Sequence, residues 1–192
     1  VTGYLISVQG GGGNEEKVYV ALEGEGSIVA LDASARTIVS RIDLSRESNG
    51  SRVQFMPHNV QVAPDNKTVW VAANAMKEEK KQAIAPFIKA AQADEGHSGM
   101  ATDEHDEVIV IDPLTDTIIK RIPIAVRSGL AHVVVAPDSR TAYVTLQQKG
   151  ELYKIDTATF IATKYISFGE GSGPHGFRIS PDGSKIFIAE VA

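Results

Sequence analysis

Three histidines open three near-copies of one phrase. MPHNVQVAPDNKTVWVAA (56 to 73), LAHVVVAPDSRTAYVTL (130 to 146) and GPHGFRISPDGSKIFIAE (173 to 190) carry His58, His132 and His175 near their starts. Imidazole is a borderline-soft nitrogen donor, so three of them facing one space suit copper, zinc or iron. The spacing is not uniform, however: His58 and His175 precede the shared proline by six residues and His132 by five. An offset of one residue in a strand turns a side chain to the opposite face. Two readings stay open on the residues alone: a shared metal site, or three imidazoles each bonding the backbone of a neighbouring element. Where a fourth copy would align, the chain has Thr2.

The elements that position these histidines follow from the repeat. The copies anchor on Pro64-Asp65, Pro137-Asp138 and Pro181-Asp182, the last two 44 residues apart and the first two 73. NVQVA, HVVVA and FRIS read as strands, the Pro-Asp cluster as a tight turn, and TVWVA, TAYVT and KIFIA as β-branched and aromatic second strands, so each copy is a hairpin. A second phrase follows in SIVALDASARTIVSRIDL (27 to 44), EVIVIDPLTDTIIKRIPI (107 to 124) and ELYKIDTATFIATKYISF (151 to 168). In each, a strand ends in Asp32, Asp112 or Asp156, a turn follows, and another strand returns. An aspartate in that place bonds the backbone of the turn it opens, which is a better account of the three than a carboxylate array.

Together the phrases make units of four antiparallel strands, and a period of ~40 to 50 residues is that of propeller blades. The expected fold is therefore all-β, a β-propeller with blade one at 3–44, blade two at 58–124, blade three at 131–168 and a half blade at 175–190. That is fourteen strands, about three and a half blades. Closed propellers use about 4 to 8 blades, each burying its faces against its neighbours. The remaining blades are thus expected from the same longer chain or from another chain, in a larger ring of seven.

Blade two holds an insertion, AMKEEKKQAIAPFIKAAQADEGHSGMATDEHD (75 to 106). It begins with helix-favouring lysine, glutamate and alanine, is interrupted by Pro86, and ends in an acidic stretch with His97, Met100 and His105. In a four-stranded blade the loop joining the second and third strands opens on the face where the innermost strand begins. The insertion is accordingly expected near His58, His132 and His175. Imidazole with thioether is a copper-compatible set, and Asp103, Glu104 and Asp106 are placed to orient imidazoles from behind. The other reading of this segment is a solvated lid.

Composition narrows the functions. A formal charge of -5 with no basic stretch offers nothing to a phosphate backbone, so no nucleic-acid partner is expected. No apolar run approaches the ~18 to 20 residues that span a bilayer, and no membrane span is expected. The chain begins at Val1, so either a targeting segment has been removed or the sequence is cut from a longer one. Cysteine is absent, which excludes disulfides, thiolate ligation and c-type haem attached to this chain. There is no nucleophile elbow, P-loop or H-E-x-x-H. The glycines of GGGG (10 to 13) and GEGSGPHG (169 to 176) belong to turns.

The repeated S/A-P-D hairpin with its (Y/W/F)-(V/I)-(A/T) second strand, AYVT at 142 to 145 among them, and the following strand ending in I-D, resemble the YVTN family of β-propellers. The resemblance covers almost all of the chain outside the insertion. It implies a periplasmic or extracellular protein, and it implies no single activity, because fold does not fix function. Propellers related in fold include nitrous oxide reductase, with histidines at the inner ends of blades, haem d1 domains, and lactonase-type enzymes whose blades open with P-R-H. Here Pro57-His58 and Pro174-His175 lack that arginine, and Arg127 and Arg178 are the arginines nearest the same face. The resemblance thus implies a binding scaffold for a protein or surface ligand. A copper or haem-type oxidoreductase ligated by His58, His132, His175, His97, His105 and Met100 is the alternative, with lactonase-like hydrolysis behind it.

Overall fold

The computed structural model describes residues 3–10, 13–77 and 103–191. The first sheet runs β1 (Gly3–Gly10), β2 (Gly13–Leu22), β3 (Ser27–Asp32) and β4 (Thr37–Asp43) in sequence order. The second has five strands: β5 (Arg46–Ser48), β6 (Ser51–Val62), β7 (Val69–Lys77), β8 (His105–Asp112) and β9 (Thr117–Val126). The third is β10 (Leu130–Val135), β11 (Thr141–Leu146), β12 (Glu151–Asp156) and β13 (Ala162–Ser167). A hairpin of β14 (Pro174–Ile179) and β15 (Ile186–Glu190) follows. Every pairing is antiparallel between strands consecutive in sequence, which is the up-and-down order of propeller blades.

The described residues thus form fifteen strands, one more than the repeat foretells. The added strand is β5, which pairs with a β6 that starts at Ser51 rather than beside His58. The expected insertion also loses both its ends to strand. β7 continues through Lys77, β8 begins at His105, and the helix expected after residue 77 lies outside the described residues.

The turns obey the repeat closely. Asn66, Ser139 and Gly183, each two residues after the shared proline, all take left-handed backbone (φ 59°, 58° and 72°), and each donates its N–H to the carbonyl three residues back at 2.8 Å. In the second phrase Asp32 Oδ1 accepts from Ser34 N and Ala35 N, Asp112 Oδ1 from Leu114 N, and Asp156 Oδ1 from Ala158 N and Thr159 N. These aspartates close turns, as their placement implies. Each net hydrogen bond of this kind is worth about 1 kcal/mol. Asp32→Ala, which removes two of them at an exposed turn, is therefore expected to lower the unfolding free energy by about 1–2 kcal/mol in a urea titration, with the fold intact.

The core lies between blades, in layers. Tyr19, Ile28 and Leu44 of the first blade and its exit meet Phe55, Val71 and Ile109 of the second. Trp70, Val108 and Val110, on the opposite face of the second blade, meet Leu130, Val144 and Ile155 of the third. Val134 and Leu152 then pack on Phe177 of the hairpin. Alternation along β7 explains the split, since Val69 and Val71 point one way and Trp70 and Ala72 the other. At about 1.5–3 kcal/mol for each large side chain buried, these layers fix the angle between sheets. Close backbone approach does so too. Gly150 has φ +64°, and a Cβ there would stand 1.9 Å from the carbonyl oxygen of Gly169, on the segment leading into β14.

Candidate metal centre

His58, His132 and His175 come together. One ligand atom from each lies within 4.8 Å of the other two. The ring centroids are 6.1 Å apart for His58 and His132, 5.2 Å for His58 and His175, and 5.1 Å for His132 and His175. The three rings are partly buried and stand on β6, β10 and β14, the first strand of each repeated hairpin.

The one-residue offset does not separate them, because each strand carries a β-bulge at that point. The ladder slips between Pro57 and Asn59, between Leu130 and Val133, and between Pro174 and Phe177. Aligned on the shared proline, the three irregular pairs are His58-Asn59, Ala131-His132 and His175-Gly176, set against Ala72, Thr145 and Ala189. A bulge sets two residues against one and suspends the strict alternation of faces, so a histidine in either place reaches the same side. The small residue at the neighbouring place also makes room, for Gly176 lies against the His132 ring.

Polar side chains other than the histidines bond across blades to backbone. Asn59 Oδ1 accepts from Val133 N at 3.0 Å. Asn74 brackets Leu130, donating to its carbonyl at 3.0 Å and accepting from its N–H at 2.8 Å. Thr145 Oγ1 donates to the carbonyl of His175 across the blades at 2.7 Å and, within its own sheet, accepts from His132 N at 3.1 Å. This work holds the blades at the spacing the imidazoles need. It is also the role that the sequence left open for the histidines themselves.

Ring nitrogens of the cluster stand close to one another and to a carboxylate. His58 Nδ1 stands 3.0 Å from Glu23 Oε1, and its Nε2 stands 3.2 Å from His175 Nε2. Two nitrogens bound tetrahedrally to one ion at about 2.0–2.1 Å lie about 3.3 Å from each other, close to that separation. That separation is also one at which the two rings can share a hydrogen bond, whose place an ion between them would take. Burial, with His175, His58 and Arg178 nearby, pushes His132 down to about 4. It is therefore neutral at physiological pH, the form that ligates. His132 Nδ1 is buried with no hydrogen-bond partner.

The other residues singled out in the sequence are placed differently. His105 opens β8, exposed and two strands out from β6, and is not one of the three clustered imidazoles. His97, Met100 and Thr2 lie outside the described residues. The acidic residues expected behind the imidazoles are engaged elsewhere. Asp103 pairs with Arg127 at 3.2 Å, and Glu104 pairs with Arg46 at 2.8 Å. Asp106 is buried against the backbone of Ala75, Ser128 and Gly129. The carboxylate on a clustered histidine is Glu23, from the turn between β2 and β3. The rule that places the loop between second and third strands on this face applies to blade one as well, and it would have found Glu23.

No protein-family model matches the chain. The uncharacterized protein YncE of Salmonella typhi is 31% identical over 104 residues, which are 54% of this chain and 28% of that protein. YncE of Salmonella typhimurium strain LT2 matches with the same figures, so the chain spans well under half the length of these curated relatives. Among solved structures, a protein from Lactobacillus plantarum superposes with a TM-score of 0.57 at 16% identity, over 90% of this chain and 47% of that one. A putative 6-phosphogluconolactonase from Bacteroides uniformis gives 0.57 at 13% identity, over 91% and 47%. At such identities the likeness concerns architecture alone. The chain has the all-β propeller fold, with antiparallel blades of four strands of which the second is widened by β5, and it covers part of the larger molecules that share this fold.

Proposed function

We propose that this chain is part of a YVTN-type propeller acting outside the cytoplasm, and that its inner rim holds one transition-metal ion on His58, His132 and His175. The observation that carries the reading is the convergence of three imidazole ligand atoms within 4.8 Å, from three successive blades. An all-nitrogen set without thiolate or carboxylate disfavours calcium and magnesium. Among divalent first-row ions such a set binds copper most tightly, so copper is the ion we infer, in an oxidoreductase role. The lactonase-like alternative has less to rest on, since Arg127 pairs with Asp103 and the Arg178 guanidinium donates to the carbonyl of Phe177.

The test is metal content. Protein purified without chelator, or stripped and then titrated with Cu(II), Zn(II) and Co(II), is expected to hold one ion per chain. A propeller serving only as a binding scaffold would hold none after mild purification. Elemental analysis far below one ion per chain, together with no saturable uptake on titration, would overturn the metal reading.

A further inference from the structure

Glu23 belongs to the first blade, whereas the three imidazoles belong to the second, third and fourth. It sits in a short 3-10 turn, Glu23–Glu25, whose fixed position follows from its contacts. Gly26 closes the turn at φ +64°, donating its N–H to the Glu23 carbonyl at 3.3 Å. A Cβ at Gly26 would come within 3.1 Å of the Phe55 carbonyl oxygen on β6, so the turn lies directly on the strand that carries His58. Leu44 N donates to the Gly26 carbonyl at 3.1 Å and holds it from the other side.

From this turn Glu23 Oε1 reaches His58 Nδ1 at 3.0 Å. An ionised carboxylate only accepts, so Nδ1 carries the hydrogen, and in the neutral ring Nε2 then keeps its lone pair. That Nε2 is the atom facing His175 Nε2 at 3.2 Å. We propose that Glu23 is a positioning residue for the three-imidazole site, fixing His58 as the Nδ1–H tautomer with Nε2 aimed at the ion, so that blade one becomes part of the centre. The inference rests on the metal reading above. Metal-bound histidines generally give their second ring N–H to such a partner, and losing it costs about 10–100-fold in metal affinity. The Glu23 side chain is 43% exposed, so the competing account is a surface ion pair that contributes little.

Two measurements separate these accounts. In metal-free protein, nitrogen-15 spectra of the histidine rings are expected to show His58 protonated at Nδ1, with Glu23→Ala moving the hydrogen toward Nε2. In Co(II) and Cu(II) titrations, Glu23→Ala is expected to weaken binding about 10–100-fold at unchanged stoichiometry, and Glu23→Gln, whose amide oxygen still accepts from Nδ1, to recover part of the loss. A surface ion pair would move neither the tautomer nor the affinity. An alanine variant that binds Co(II) like the parent, with His58 still protonated at Nδ1, overturns the role of Glu23 and leaves the metal reading standing. A parent protein that takes up no ion overturns both.

Discussion

Replacing His58 and His175 together by alanine is expected to reduce metal content from one ion per chain to background while leaving the β-sheet circular dichroism unchanged. The two Nε2 atoms face each other at 3.2 Å, so the double substitution removes two of the three donors and leaves His132 alone. A single imidazole does not retain a first-row ion against buffer and washing, because the selectivity and strength of such sites come from several ligands held together. The fold is expected to survive, since the inter-blade bond at His175 runs from Thr145 Oγ1 to the backbone carbonyl, which alanine keeps. Neither substitution touches Val60 or Phe177, the apolar residues that follow the bulges into the core. Elemental analysis and thermal unfolding on the same samples check both halves. Unchanged metal in a folded double variant would place the ion elsewhere.

Asp106→Ala is expected to lower the unfolding free energy by about 3–5 kcal/mol, since it removes the acceptor shared by several buried donors, each of which costs about 1–3 kcal/mol when left unsatisfied. The residue is 3% exposed. Its Oδ1 accepts from Ala75 N at 2.9 Å, and its Oδ2 accepts from Ser128 N at 2.7 Å, Ser128 Oγ at 2.8 Å and Gly129 N at 3.1 Å. It thereby ties the start of β8 to the end of β7 and to the link from β9 into β10. Alanine takes this acceptor from the N–H groups of Ala75, Ser128 and Gly129, while Ser128 Oγ retains the Ala125 carbonyl at 3.3 Å. Asparagine keeps one oxygen but turns an amide N–H toward Ser128 and Gly129, so it is expected to fall between. A urea midpoint that drops at constant m supports the assignment, and a loss below about 1 kcal/mol would sink it.

Much of the fold can be read from residues because the repeat writes its turns explicitly. Pro-Asp followed by a residue that tolerates positive φ, and a strand-ending aspartate before the return strand, are local signals, and both are realised in every described copy. β5 escaped because Arg-Glu-Ser has no apolar alternation. It depends on β6 extending back to Ser51 and on Arg46 meeting Glu104 and Glu107, contacts about sixty residues distant in sequence. The convergence of the histidines was legible as a common end of the molecule but not as a common side, because the bulges have no residue signature. His-Asn, Ala-His and His-Gly look unrelated until the ladder shows them equivalent. Asn59, Asn74 and Thr145 did leave a trace, being polar residues inside otherwise apolar strands, where a buried polar group must find a partner.

The shared irregularity on the inner strands also bears on how such a rim can change over time. In a regular strand, gaining or losing one residue inverts every side chain beyond it and exposes the core. At these kinks an extra residue is already accommodated, so a slip of one place redirects a single ring and leaves the downstream packing as it was. Donors around the axis can therefore be added, removed or shifted one sheet at a time, without the whole molecule having to find a new arrangement.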